Sequence, residues 1–169
     1  MIKYSLILCL LVVMWSCDSS DPGENIFTGV STTYNLTNVD AQYNGGGTVI
    51  FRERTDLSVT IEIAMQPTGS GGTHPAHLHH GTFDIPDAEM AAMLTPVDAA
   101  TGQSVTTISQ LLDGTTVTYQ QLMDFDGSIK IHLDDGANKA VVLAAVNIGI
   151  NAGINSEKIA VCSSDQESI

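Results

Sequence analysis

Five histidines carry most of the chemistry open to this sequence. Four of them fall between positions 74 and 80, in Thr73-His74-Pro75-Ala76-His77-Leu78-His79-His80-Gly81-Thr82. The fifth lies in Ser128-Ile129-Lys130-Ile131-His132-Leu133-Asp134-Asp135. In a strand, alternate side chains share a face. His77 and His79 then project together, with Leu78 and His80 on the opposite side. Two imidazoles on one face are half of a metal site. Three or four nitrogen ligands suit copper or zinc, and Cu(II) binds a given nitrogen site more tightly than Zn(II) does. Neutral imidazole is the ligating form, so such a site weakens as pH falls below about 6.5. The plainer reading keeps the His-x-His pair as an exposed polar face and His132 as a half-buried structural residue. His74, just before Pro75, is read as a surface or supporting residue or as a fourth nitrogen ligand, and His80 as a surface or supporting residue.

The elements that must position these side chains read as short strands joined by polar turns. Candidate strands cover 28–36, 46–54, 57–65, 76–80, 104–108, 115–119, 128–133 and 140–149. Alternation is clearest from Leu57 to Met65, where Leu57, Val59, Ile61, Ile63 and Met65 point one way and Ser58, Thr60 and Glu62 the other. Asn44-Gly45-Gly46-Gly47 and Gly69-Ser70-Gly71-Gly72 punctuate strand ends. The spacing predicts a short helix over Pro86–Met93, with Asp84 or Asp87 near its start, and a weaker one over 108–113. Met90 and Met93 then stand one helical turn apart. Soft thioether ligation of Cu(I) is one reading of that pair, and a helix face packed into the core is the better one. The expected fold is all-β, a Greek-key β-barrel or sandwich of about eight strands, with one or two short helical turns in the 84–113 region.

Length and composition bound the function. The chain has 169 residues, enough for one domain, with 43 % hydrophobic and 15 % charged residues. That apolar content is too high for a disordered acidic chain. Six Lys and Arg against nineteen Asp and Glu leave a net charge of -13, with no basic face for a phosphate backbone, so nucleic acid is not an expected partner. Past the N-terminus there is no run of about 20 apolar residues that would span a bilayer.

The N-terminus reads as an export signal. Lys3 precedes the apolar run Leu6-Ile7-Leu8-Cys9-Leu10-Leu11-Val12-Val13-Met14. The segment that follows, Met14-Trp15-Ser16-Cys17, resembles the lipobox of bacterial lipoproteins. The resemblance implies cleavage before Cys17, lipidation of its thiol, and a protein anchored in the cell envelope, periplasmic or surface, by lipid alone. Residues 1–16 then form the signal, 17–25 a polar tether, 26–162 the β domain and 163–169 a polar tail. Cleavage removes Lys3 and no acid, so five basic and nineteen acidic groups remain and the net charge becomes -14. Cys9 is lost as well, and with Cys17 lipidated only Cys162 is left, which excludes an internal disulfide.

Three segments together resemble the Cu/Zn superoxide dismutases. Ala76-His77-Leu78-His79-His80-Gly81 is similar to that family's copper-binding strand. Ile131-His132-Leu133-Asp134-Asp135-Gly136 is similar to its later histidine, followed by an Asp pair and Gly. Leu143-Ala144-Ala145-Val146-Asn147-Ile148-Gly149-Ile150 resembles its closing strand. The His-Pro-Ala-His-x-His phrase also resembles short bacterial relatives of that fold and the chordin-type (CHRD) domain. The resemblance implies an eight-stranded Greek-key barrel with copper on His77, His79 and His132. It also marks departures. Residues 82–103 contain no His, so no zinc site and no bridging ligand are expected. Ala145 stands where the family has its closing-strand Cys, and Val142 where it has the Arg that guides the substrate anion. Lys139 is close in sequence to that position. Three functions follow. The first is a copper-binding protein for copper handling or weak redox chemistry, the second a copper-only superoxide dismutase, and the third a metal-free CHRD-like binding or structural module.

Overall fold

In the computed structural model, residues 26–154 are described, apart from Ser70 and Pro86. The expected signal segment, Cys17, the expected tether, the end of the expected β domain from 155 and the expected tail therefore lie outside the described residues. Eight strands follow one another: β1 (Phe27–Asn38), β2 (Gly47–Arg54), β3 (Val59–Met65), β4 (Thr73–His80), β5 (Met90–Asp98), β6 (Gln103–Ile108), β7 (Asp126–His132) and β8 (Val142–Gly149), with a short helix α1 (Tyr119–Met123) before β7. They form one antiparallel sheet in the order β5-β4-β7-β8-β1-β2-β3-β6. β7 lies beside β4, and β8 beside β1. The chain thus crosses the barrel ends between non-sequential neighbours, in Greek-key fashion. The sheet nearly closes where its end strands β5 and β6 meet: the amide of Thr95 donates to Thr106 Oγ1 at 2.8 Å. Among the described residues no helix is long and apolar enough to cross a membrane.

Alternation builds the core. In β2 and β3, Val49 and Phe51 face Ile63 and Ile61 across the ladder. On the far side, Ala76 and Leu78 of β4 face Ile131 and Ile129 of β7, which face Ala144 and Val146 of β8. All of these side chains are buried in one cluster. Because successive side chains alternate faces, Leu78, Ile129 and Ile131 inside oblige His77, His79, Lys130 and His132 to lie on the outer face of the same strands. The interior is thus apolar, and the polar chemistry stands in a second layer outside the barrel wall.

Seven of the eight expected strands are present, and three local expectations are corrected. The segment 115–119 is not a strand. Thr118 caps α1: its Oγ1 accepts from the Gln121 amide, while Gln121 Oε1 accepts from the Thr118 amide. Leu57 is not on the core face of β3. It sits in the β2–β3 turn with φ 69° and is 69 % exposed. Among the described residues no helix forms over the expected Pro86–Met93 or 108–113. The missing strand is β5, and a bulge explains why its apolar spacing looked helical. His77 pairs with Met93 and Leu78 with Ala92, but His79 then pairs with Met90, so Ala91 is an extra residue on β5. The bulge turns a three-residue spacing into two positions on one face.

Candidate metal centre

His77 and His79 are alternate residues of β4, and His132 ends β7, the next strand. Their cross-strand neighbours are Lys130 for His77 and Ser128 for His79. The three imidazoles converge on the outer face: ring centroids are 5.8 Å apart for His77–His79, 5.2 Å for His77–His132 and 6.4 Å for His79–His132. One ligand atom from each lies within 4.8 Å of the others, and among the described residues this is the one such group of three or more. Nitrogens bound to a common ion at 2.0–2.1 Å stand about 3.3–3.6 Å apart. The group is therefore short of a bonded set by no more than about 1.5 Å.

Backbone carbonyls orient two of the rings. His79 Nδ1 donates to the Ala88 carbonyl at 2.8 Å, and His132 Nδ1 to the Lys139 carbonyl at 2.8 Å. A carbonyl only accepts, so the proton is on Nδ1 and the lone pair on Nε2. This is the usual support of a metal-ligating histidine. His79 Nε2 is fully buried and has no hydrogen-bond partner. A buried nitrogen lone pair without a donor costs about 1–3 kcal/mol. A metal ion satisfies it, so the residues fit a metal.

Electrostatics also favour the ligating form. Burial pushes the His79 pKa down to about 4, assisted by the positive charge of Lys130 and by His77 and His132; the bond to Ala88 opposes the shift. His79 is thus neutral throughout the physiological range.

Residues 81–85 and 87–89 lie over this face. Gly81, with φ 73°, turns the chain out of β4. Phe83 is buried against Val39, Val142 and Ala145, and its amide donates to Asn147 Oδ1 at 2.8 Å. The Ile85 carbonyl accepts from Lys130 Nζ at 3.2 Å, and the Ala88 carbonyl holds His79. The strap is thereby tied to β4 through His79 and to β7 through Lys130, and its Phe83 packs on Val142, the residue opposite His132.

The other two histidines stand apart from the group. His74 is buried on β4, with Nδ1 at 2.8 Å from the Leu133 carbonyl and Nε2 bonded to Thr68 Oγ1. Both of its nitrogens are engaged, which is the supporting one of its two readings: it ties β4 to the ends of β3 and β7. His80 turns away and packs against Phe125, ring centroids 5.1 Å apart. Lys139 contributes its carbonyl, which accepts from His132 Nδ1. Val142 is buried opposite His132.

Sequence reasoning passed over Lys130, although the signal was present. Lys130 shares the parity of His132 in Ile129-Lys130-Ile131-His132, so the two must lie on the same face. Ser128 has the same parity. Its hydroxyl is the other buried polar side-chain atom without a partner among the described residues, directly opposite His79. The supporting carbonyls of Ala88 and Lys139 left no such trace, because every residue carries one. No known protein family, curated protein or solved structure matches this chain.

Proposed function

We propose that this chain is an exported copper-binding protein that holds one copper ion on His77, His79 and His132, for copper handling or slow redox chemistry. The observation that carries the reading is the buried, unpartnered Nε2 of His79, in a group whose ligand atoms lie within 4.8 Å of one another. Copper is favoured over zinc because Cu(II) leads the divalent series at nitrogen sites. The resemblance to the copper strand of the superoxide dismutases, without any histidine in 82–103, points the same way. Export and lipid anchoring rest on the apolar run of residues 6–14 and on Ser16-Cys17.

Copper when bound supplies one-electron cycling between Cu(II) and Cu(I). The chain's own residues bind and orient. The three imidazoles present nitrogen lone pairs, and the Ala88 and Lys139 carbonyls hold two rings by Nδ1. Phe83 packs on Val142, the residue opposite His132.

The test is Cu(II) electron paramagnetic resonance on the purified chain beside His132→Ala. The expected result is an axial signal with nitrogen coupling, saturating at one equivalent and lost or altered in the variant. A signal unchanged by His132→Ala would mean that copper sits on the 74–80 cluster alone, and the reading would fail.

A further inference from the structure

Of the three imidazoles His77 is the most exposed, at 9 % against 2 % for His79 and 3 % for His132. The residue directly opposite His77 on β5 is Met93. Directly opposed residues of an antiparallel pair share a face, with Cβ atoms about 4.5–5.5 Å apart. Met93 is 65 % exposed, on a strand whose other face buries Ala92, Leu94 and Val97. The strand therefore spends its core face on packing and leaves a thioether standing beside the most accessible imidazole. Methionine has three rotatable bonds and a polarisable sulfur, and its sulfur is a soft ligand that selects Cu(I). Leucine or valine would cover an edge strand equally well and would not bind metal.

We propose that Met93 supplies a thioether ligand to this centre when the ion is Cu(I), joining the imidazole of His77 at the solvent side. The assignment rests on the copper reading above and narrows it. The site accepts Cu(I) as well as Cu(II), with sulfur contributing to the first and the three imidazoles to both. Met93 stands opposite His77 in regular register, and the bulge at Ala91 then brings Met90 opposite His79.

The experiment compares the full chain with Met93→Leu and His132→Ala. Cu(I) affinity is read anaerobically by competition with a chromophoric chelator, and the Cu(II) site by paramagnetic resonance. Leu is close to Met in volume and the position is exposed, so the melting temperature is expected to stay unchanged. The expected result is a loss of about tenfold or more in Cu(I) affinity for Met93→Leu, with the Cu(II) spectrum unaltered. Equal Cu(I) affinity in the parent and Met93→Leu, with copper still lost from His132→Ala, would overturn the thioether ligand and leave the three-histidine reading standing. A parent chain that takes up neither ion at one equivalent would overturn both.

Discussion

The ring of His79 is bonded through Nδ1 to the carbonyl of Ala88, nine residues further along the chain, at 2.8 Å. This single contact fixes the tautomer of a buried imidazole and pins the strap to β4. It couples two properties that are otherwise separate: the ligating state of His79 and the cover over the histidine group. Phe83 to Asn147 and Lys130 to Ile85 hold the same strap at two other points.

Stability without metal is expected to depend on pH through His79. Its pKa is about 4 in the folded chain against an ordinary 6.5. The unfolded chain binds the proton more readily, so this contribution is complete above about pH 6.5 and is lost as pH falls toward 4. It is on the order of 3 kcal/mol. Urea unfolding at a series of pH values checks it. The slope between pH 6.5 and 4 should be shallower in His79→Leu than in the parent; equal slopes would remove His79 as the cause.

Copper binding should raise thermal stability. An ion that binds only the folded state, present at about 100 times its dissociation constant, adds about 2.7 kcal/mol. For a domain of this size that corresponds to a rise of several degrees in melting temperature. Calorimetry with and without Cu(II) reads it, and His77→Ala should abolish the increment.

Asn147 is a positioning residue for the strap. Its Oδ1 accepts from the Phe83 amide and its Nδ2 donates to the Ile154 carbonyl. Asn147→Ala leaves a buried N–H unpaired, at a cost of about 1–3 kcal/mol. Loosening the strap should also weaken copper binding by about tenfold. Hydrogen exchange at the Phe83 amide distinguishes this from general destabilisation: the Phe83 amide should lose protection while those of Ile129 and Ile131 keep theirs.

Leu57 pays for the turn between β2 and β3. It is exposed, with φ 69°, a conformation that costs a side chain bearing Cβ about 1–2 kcal/mol and that Asn tolerates better. Leu57→Asn is expected to stabilise the fold by about 1 kcal/mol, read by urea unfolding. A destabilised variant would show that Leu57 contributes packing that outweighs its strain.

Much of the fold was legible because a buried sheet writes itself in period two. Val59, Ile61 and Ile63, or Ile129 and Ile131, announce both a strand and its inward face. The same period separates His77 and His79 from Leu78, and Lys130 and His132 from their isoleucines. The capping box of α1, Thr118 with Gln121, was also present in the chain, but the β-branched residues around it favoured a strand reading.

By itself, then, the sequence determined which faces of most strands are apolar and that His77 and His79 share a side. Tertiary structure alone decided the rest. That β7 lies beside β4, bringing His132 to the pair, depends on a strand order that no local pattern encodes. That His74 spends both nitrogens on Thr68 and Leu133 depends on neighbours far along the chain or brought in by folding. That Met90 and Met93 lie on a strand depends on the one extra residue at Ala91, which makes helical and extended spacings coincide. In each case the deciding energy comes from contacts between segments distant in sequence, and a periodicity records only which side of a segment is buried, not what it is buried against.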